Sequence, residues 1–351
     1  MTTELIELDE NNIDKSELQR AGDIIKKGGL VAFPTETVYG LGGDALNAKA
    51  AGKIYAAKGR PSDNPLIVHI CCMEDLYRIA ADVSEAALKL AKLYWPGPLT
   101  MIFRKKDIVP SETTGGLNTV AVRMPNNSIA LEFIRAAGGF VAAPSANLSG
   151  RPSPTTAKHV YEDMKGRIEM ILDGGDSIIG LESTIVDMTG EVPMVLRPGY
   201  ISGDMVKDVL SMVDYDPAVF GTVTEGLKPK APGMKYRHYA PKGELTIVKG
   251  EQAKVVSYMK ERLDEALAEG KRVGIIATDE TRDYYAKATL LMSVGSRQDE
   301  ASIAHHLYGV LRECDEQDID VIYSEDFDTP KMGQAIMNRL IKAAGHNIVE
   351  M

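Results

Sequence analysis

The stretch KGRPSDNPLIVHI, residues 58–70, places two cations on a proline-containing turn directly ahead of an apolar run. The run LIVHI, residues 66–70, has the length and composition of a buried strand. Arg60 offers a planar fork suited to phosphate or carboxylate, and Lys58 adds a compact point charge. The stretch therefore predicts a strand that follows either a solvated loop or a loop that holds an anion.

The same order of apolar strand and polar loop recurs along the first 215 residues. The loop AAPSANLSGRPSP, residues 142–154, is rich in hydroxyl and amide groups, among them Ser145 and Asn147. Further stretches of this kind are FPTETVYGLGGD (residues 33–44), NTVAVRMP with Arg123, GLESTIVD with Ser183 and VLRPG with Arg197. Because ligands collect where loops converge at strand ends of an α/β sheet, we expect one shared pocket.

Two α/β domains joined by a linker are predicted from the rhythm of the apolar runs. Residues 1–215 alternate strands with helical segments in an order that favours a mixed sheet. Residues 244–351 repeat strand and helix regularly, which indicates a small Rossmann-like parallel sheet covered by helices. Residues 216–243 are rich in proline, tyrosine and cations and are typical of a linker on composition alone.

The chain is acidic, with a formal net charge of -10, and among these three segments only residues 216–243 carry an excess of cations. Proteins that grip a polynucleotide backbone usually show a broad positive face, so direct nucleic-acid binding is disfavoured. No apolar run reaches the roughly 18 residues of a membrane span, and the amino terminus lacks the features of a secretory signal. The adjacent Cys71 and Cys72 fit neither a disulfide framework nor a zinc site. These features predict a cytoplasmic protein with reduced thiols.

The candidate pocket is cationic and contains no recognisable nucleophile motif. Its cations are Lys58, Arg60, Arg123 and Arg197. A phosphate-binding loop of the G-x-x-x-x-G-K-[ST] type is absent from the sequence, as are the common hydrolase and metalloprotease motifs. Placed cations suit phosphoryl or nucleotidyl transfer, which depends on positioning and electrostatic stabilisation. His69 shares a face of its strand with Ile67, which on local sequence alone is typical of a core histidine.

These motifs resemble those of a known family. KGRPSDNPL together with PSANLSG is similar to the signature of the YrdC-like proteins, the threonylcarbamoyl-AMP synthases, and FPTETVYGLG, WPGPLT, VAVRMP, ESTIVD and RPG stand in the family's order. The resemblance is dense over residues 15–205 and implies a twisted mixed sheet with a concave ligand site. APGMKYRHYAP and the α/β unit after it resemble the long, two-domain form. Ala231 departs from the pattern, which has a serine there.

The resemblance implies a reaction. L-Threonine and bicarbonate form N-carboxythreonine, which attacks the α-phosphorus of ATP and gives threonylcarbamoyl-AMP and pyrophosphate. Mg²⁺ would be held mainly by the ATP phosphates, without a metal site of the protein's own. A partner transferase would then modify the tRNA adenosine beside the anticodon, so that contact with tRNA is indirect and no membrane is involved.

The resemblance also implies the residues of the site. ATP would be held by Arg60, Asn64, Thr119, Ser145, Ser153 and Arg197, with Lys58 beside its phosphates. The loop composition adds Asn147 to these contacts. Threonine would be held by Thr37, His69, Arg123, Ser183 and the backbone of Ala143. Lys58 and Arg60 are the cations predicted to act on the reacting phosphates.

Residues 216–243 gain a function from this chemistry, because a carbamate is unstable in water. A proline-stiffened segment with Lys235, Tyr236, Arg237 and Tyr239 is suited to fold over the pocket and exclude solvent. We therefore expect a lid in which Tyr236 or Tyr239 touches the nucleotide.

Two alternatives stay open at this point. A double-stranded RNA or tRNA-binding module of the same fold would bind with a steep salt dependence and without ATP. A carbamoyltransferase domain of the same fold normally belongs to a much longer chain with zinc-finger and acylphosphatase-like segments.

Overall fold

The computed structural model describes residues 2–220, 229–232 and 239–351. The chain forms two compact units. The first comprises Met1–Ser149, Ser153–Ile178 and Glu182–Lys235, and the second comprises Gly150–Pro152, Ile179–Leu181 and Tyr236–Met351. The domain boundaries that the sequence predicts at residues 215 and 243 stay a prediction. No helix in the described part of the chain is both long and apolar enough to cross a membrane.

A mixed sheet of twelve strands runs through the described residues of the first unit. Its strands are β1 (Glu4–Glu7), β2 (Val31–Phe33), β3 (Gly40–Asp44), β4 (Ile67–His69), β5 (Ala80–Ala81), β6 (Leu99–Lys105), β7 (Thr119–Arg123), β8 (Val141–Ala143), β9 (Met170–Asp173), β10 (Thr184–Asp187), β11 (Met194–Arg197) and β12 (Asp214–Tyr215). The spatial order is β1-β9-β2-β3-β8-β4-β7-β6-β10-β11-β12, and β5 pairs with β6. Parallel pairs such as β4 with β7 stand beside antiparallel pairs such as β7 with β6. The predicted mixed sheet is confirmed.

Seven helices flank this sheet in the described part of the first unit. They are α1 (Lys15–Lys26), α2 (Ala48–Lys58), α3 (Met73–Ile79), α4 (Glu85–Tyr94), α5 (Ser128–Ala136), α6 (Ala157–Met164) and α7 (Gly203–Leu210). The side chain of Asn47 caps α2 by accepting a hydrogen bond from the Lys49 amide. Gly59 ends the helix in the left-handed conformation, with φ of 64°. This cap places Lys58 in the last position of the helix and Arg60 directly after Gly59.

The two faces of the sheet differ. One face packs on the main apolar core, which includes Val68, Val122 and Val186. On the other face, helices α1 and α5 pack on a second core with residues of β2, β8 and β9. The strands beyond these two helices present polar side chains on that second face, and the candidate site is built there.

Strand β3 corrects the interpretation of residues 33–44, in which the part after the apolar strand was taken as a polar loop. Gly40–Asp44 pairs with β2 and β8. A Cβ atom on Gly42 would lie 2.8 Å from Cγ1 of Val141 and 3.0 Å from the Val31 carbonyl oxygen. Close packing therefore requires glycine at position 42.

The second unit contains the predicted small parallel sheet. Its strands are β13 (Glu244–Lys249), β14 (Val273–Ala277), β15 (Leu290–Ser293), β16 (Val321–Glu325) and β17 (Ile348–Glu350), and its helices are α8 (Gln252–Ala268), α9 (Glu300–Glu316) and α10 (Gly333–Ala343). The strand order is β15-β14-β16-β13-β17, and every pair is parallel.

Candidate active site

A row of polar residues crosses the sheet of the first unit. In the register of the strands, His69 lies opposite Arg123, and Arg123 lies opposite Thr100. Thr100 pairs with Ile185, and Ile185 pairs with Arg197. Paired residues of neighbouring strands place their side chains on the same face.

The β10–β11 pairing has a register shift between Ile185 and Val186. There the hydrogen bonds of Arg197 to Ser183, which in turn contacts Thr100, place the Arg197 side chain in this row. We call His69, Arg123, Thr100 and Arg197 the polar row; three of its members were predicted site residues.

The Arg197 end of the polar row is tightly hydrogen-bonded to Ser183. Arg197 Nε donates to the Ser183 carbonyl oxygen at 3.1 Å, and Nη2 donates to Ser183 Oγ at 3.2 Å. The hydroxyl oxygens of Ser183 and Thr100 are 2.7 Å apart. A predicted ATP contact and a predicted threonine contact thus touch each other directly.

His69 is buried within the polar row. Its ring meets the Phe33 ring edge-on, with centroids 5.8 Å apart, and its Nδ1 lies 3.2 Å from the Ile67 carbonyl oxygen. Burial, together with the positive charge of Arg123, lowers the pKa of His69 to about 3. At neutral pH the imidazole is therefore uncharged and offers one donor and one acceptor. That character suits a hydroxyl or amine partner, although contact with threonine stays a prediction.

Arg123 is positioned by the WPGPLT segment and by a carboxylate that the sequence interpretation missed. Arg123 Nε donates to the Gly97 carbonyl oxygen at 3.4 Å, and the Gly97 amide donates to the Met124 carbonyl oxygen at 2.8 Å. Arg123 Nη2 lies 2.7 Å from Oε2 of Glu36. The only signal in the sequence was an acidic residue between two threonines at the end of a strand.

Thr37 is held by a tight turn after β2. Thr35 Oγ1 donates to the Val38 carbonyl oxygen at 2.6 Å, and it accepts from the Thr37 amide at 3.2 Å. The hydroxyl oxygens of Thr35 and Thr37 are 2.9 Å apart. Ala143 of β8 pairs with Ile67 of β4, which lies two residues before His69 on the same strand. The turn therefore presents Glu36 and Thr37 from a single rigid segment.

Lys58 ties two loops together. Its Nζ donates to the carbonyl oxygens of Ser145 and Asn147, each at 2.5 Å, and to Asn147 Oδ1 at 3.1 Å. Ser145 Oγ also donates to Asn147 Oδ1, at 2.6 Å. The structure thus brings together three predicted nucleotide contacts. It also assigns the ammonium group a structural role that the sequence did not suggest.

Arg60 and Asn64 are buried side chains of the loop between α2 and β4. Arg60 Nη2 donates to the carbonyl oxygens of Asn64 and Pro65, at 3.3 and 3.0 Å. Tyr55 donates its hydroxyl to the Asn64 carbonyl oxygen at 3.1 Å. The side-chain oxygen of Asn64 is buried and accepts no hydrogen bond from any residue that the structure describes. Such an orphaned acceptor is suited to an amine of a bound ligand.

The other predicted nucleotide contacts occupy different environments. Ser153 is buried, and its hydroxyl donates to Glu182 Oε1 at 2.6 Å. Thr119 begins β7, on the same face as Arg123 at its other end. Tyr239 is buried in the second unit, with its ring centroid 5.1 Å from that of Tyr308. Tyr236 lies outside the described residues, as do the predicted lid residues Lys235 and Arg237, and all these assignments stay predictions.

A described part of the basic segment packs on the face that carries the polar row. Ala231 is fully buried in an apolar cluster formed by Ile67, Ile102, Ala121, Ile185 and Leu196. Ile67 and Ala121 are register partners directly beside His69 and Arg123. The alanine that departs from the family pattern thus fills an apolar contact next to the polar row.

Cys71, Cys72 and Asp75 form a group of potential metal ligands whose ligand atoms lie within 4.8 Å of one another. Cys72 Sγ lies 3.2 Å from Asp75 Oδ2, and Arg78 forms an ion pair with Oδ1 at 3.1 Å. Burial raises the pKa of the Cys71 thiol to about 11 and also raises that of Cys72. As free thiols, both cysteines are protonated at neutral pH and can donate to the Asp75 carboxylate.

Family models match most of the chain. Residues 23–199 match the Sua5–YciO–YrdC model, described as "Telomere recombination". Residues 201–345 match the model described as "Threonylcarbamoyl-AMP synthase, C-terminal domain".

Individual relatives match over nearly their whole length. A protein of Pyrococcus abyssi named threonylcarbamoyl-AMP synthase is 45% identical over 339 residues, which cover 97% of each chain. A Bacillus subtilis protein of the same name is 43% identical over 342 residues, or 97% of this chain and 96% of that one. The crystal structure of P. abyssi Sua5 complexed with L-threonine matches with a TM-score of 0.94 and 44% identity, covering 99% of this chain and 100% of that chain.

Proposed function

Since this chain belongs to the threonylcarbamoyl-AMP synthase family, we propose that it converts L-threonine, bicarbonate and ATP into threonylcarbamoyl-AMP and pyrophosphate. The step is a nucleotidyl transfer in which N-carboxythreonine attacks the α-phosphorus of ATP. The relative of known structure that was solved with L-threonine supports the choice of amino acid.

The polar row is the observation that carries this proposal. Arg123 on β7 and Arg197 on β11 are three strand spacings apart, or about 14 Å along the sheet. Both side chains lie on one face, and Thr100 and Ser183 connect them. An amino-acid carboxylate at Arg123 and a phosphate at Arg197 would thus be held by one surface, with the reacting carbamate between them.

The proposed reaction needs positive charge around a phosphorus centre and no protein nucleophile. Arg197 and Arg60 supply fixed guanidinium groups, and Lys58 holds the loop that carries Ser145 and Asn147. These side chains are cationic or neutral and are poor ligands for Mg²⁺, which prefers carboxylate and phosphate oxygens. Mg²⁺ would therefore enter with ATP and share the charge of the phosphates.

The basic segment of residues 216–243 is proposed to cover the site. Ala231, which packs beside the polar row, anchors a described part of this segment at the right face of the sheet. A cover that excludes water would protect the carbamate from hydrolysis and strengthen the charge interactions. Tyr236 or Tyr239 would then contribute a nucleotide contact.

The product implies a partner, since threonylcarbamoyl-AMP is an activated group donor. We propose that a separate transferase passes the group to tRNA, with which this acidic chain makes no direct contact. The three cysteines are free thiols, which fits a reducing compartment such as the cytoplasm.

Pyrophosphate release from ATP tests the proposal. Release should require L-threonine, bicarbonate and Mg²⁺ together, and omission of any one of them should reduce it to background. Release that persists without threonine or bicarbonate would contradict the proposed reaction. Tight tRNA binding without ATP, with a steep salt dependence, would instead favour the RNA-binding alternative.

A further inference from the structure

Glu36 and Arg123 form a buried pair of opposite charges within the candidate site. Their side chains are only 6% and 5% exposed, and Glu36 Oε2 lies 2.7 Å from Arg123 Nη2. Glu36 comes from the turn after β2, whereas Arg123 comes from the end of β7. Two distant parts of the chain therefore bring these charges together on the face of the polar row.

The pair is close but poorly aligned. Among the residues that the structure describes, no hydrogen-bond partner is found for either carboxylate oxygen of Glu36 or for Nη2 of Arg123. A buried carboxylate without hydrogen bonds is costly, even when a cation neutralises its charge. The pair is thus electrically balanced while its hydrogen-bonding capacity remains available to a ligand.

A zwitterion can replace both halves of this pair at once. An α-carboxylate can pair with the fork of Arg123, and the α-ammonium next to it then faces the carboxylate that Arg123 has released. Resting on the function proposed above, we propose that Glu36 binds the α-ammonium group of L-threonine and makes the site select amino acids over simple carboxylic acids.

The surroundings of Glu36 favour an ammonium group as its partner. Arg123 is the cation that faces Glu36, at 2.7 Å, and it is the group that the ligand carboxylate would engage. His69 is neutral because burial and Arg123 depress its pKa to about 3. Thr35 and Thr37, the sequence neighbours of Glu36, carry uncharged hydroxyl groups whose oxygens lie 2.9 Å apart. Once Arg123 pairs with the ligand carboxylate, the ammonium group of the same ligand can supply the positive charge beside Glu36.

This exchange of partners predicts that the site discriminates against carboxylic acids that lack an amino group. A carboxylic acid without the amino group would take Arg123 and leave Glu36 as a buried, unpaired charge. A site built to pair with a polar group rejects an analogue that lacks it, because its own buried group is left without a partner. (R)-3-Hydroxybutyrate, which is L-threonine without the amino group, should bind far more weakly than threonine.

Isothermal titration of the full chain with these two ligands tests the inference. In the wild-type protein we expect threonine to bind at least about tenfold more tightly than (R)-3-hydroxybutyrate, as expected for a hydrogen bond between charged groups. Glu36→Gln should weaken threonine binding by about tenfold or more and strengthen hydroxybutyrate binding. Damage to the site would weaken both ligands, so the opposite signs identify ammonium recognition.

Glu169→Gln is the matched control. This variant makes the same chemical change, carboxylate to amide, in the same unit. Glu169 Oε2 accepts a hydrogen bond from the Leu30 amide at 2.8 Å and is not a residue of the candidate site. The ratio of the two affinities should stay at its wild-type value in this variant.

The outcomes separate this inference from the proposed function. If the wild-type protein fails to bind L-threonine, the proposed function is wrong. If it binds threonine and hydroxybutyrate equally well, Glu36 does not select the ammonium group, whatever the variants do. An unchanged affinity ratio in Glu36→Gln would also overturn the inference, while the synthase function would stand.

Discussion

The two arginines of the polar row are equally buried but are held in different ways. Arg197 donates two hydrogen bonds to Ser183, at 3.1 and 3.2 Å. Arg123 faces Glu36 at 2.7 Å without an aligned hydrogen bond at Nη2. The comparison distinguishes a guanidinium fixed by the protein from one whose partner can be exchanged. The first suits a phosphate that must be placed accurately, and the second suits a substrate that must enter and leave.

The largest effect on stability and on threonine binding is expected when the Glu36–Arg123 pair is broken. Arg123→Ala leaves Glu36 buried without its cation and should reduce the free energy of unfolding by about 3–5 kcal/mol. Threonine binding should be lost as well. Chemical denaturation and titration measure the two quantities. Replacing both residues, as Arg123→Leu with Glu36→Leu, should recover most of the stability but none of the binding; a double variant as unstable as the single one would contradict this interpretation.

A substitution of Lys58 tests whether this cation, like Arg197, is held in place by the protein. Lys58→Met keeps the length of the side chain but leaves the Ser145 and Asn147 carbonyl oxygens without this donor. We expect a loss of about 2–3 kcal/mol in unfolding free energy, measured by denaturant titration. If stability is unchanged while ATP affinity falls, Lys58 acts mainly on the phosphates, and the structural role assigned to it is wrong.

Matched lysine substitutions sharpen the comparison further. Arg197→Lys cannot make both hydrogen bonds to Ser183 and should lose about 1–2 kcal/mol of stability. Arg123→Lys keeps a charge beside Glu36 and loses only the long, 3.4 Å hydrogen bond to the Gly97 carbonyl oxygen, so it should cost less stability, about 0.5–1 kcal/mol, while weakening threonine binding. Thermal unfolding and titration of both variants provide the measurements. Equal stability losses at the two positions would remove the distinction between them.

His69 should make the protein less stable in acid. Its folded pKa of about 3 lies below the usual value, so the unfolded chain binds more protons between about pH 3 and 6.5. The free energy of unfolding should therefore fall as the pH drops below about 6.5, by about 1 kcal/mol at pH 5.5 from this residue alone. His69→Gln should remove this share of the pH dependence. Identical stability profiles for the two proteins would show that His69 is protonated without penalty.

Much of the fold could be predicted from local sequence. Alternating apolar residues located most strands of both sheets, and the order of motifs identified the family, which the comparisons confirm. Strand β3 was missed because it has few apolar side chains, since close packing against Val141 and Phe33 leaves room only for glycine at positions 42 and 40.

The site was harder to predict because it depends on register and on distant contacts. Sequence alternation places His69 and Arg123 on strand faces, but it cannot reveal that the two residues are partners. The bonds of Lys58 reach residues 87 and 89 positions away. Glu36 has no local signal that separates it from any acidic residue in a turn. Its importance appears only when the fold places it against Arg123.

Direct detection of the product tests the central claim. The wild-type protein is incubated with ATP, Mg²⁺, L-threonine and ¹³C-labelled bicarbonate, and the nucleotides are analysed by mass spectrometry. Our account predicts threonylcarbamoyl-AMP with the label in its carbamoyl carbon, and its absence from the Arg123→Ala reaction. Failure of the wild-type protein to form labelled product, or undiminished product from Arg123→Ala, would contradict the account.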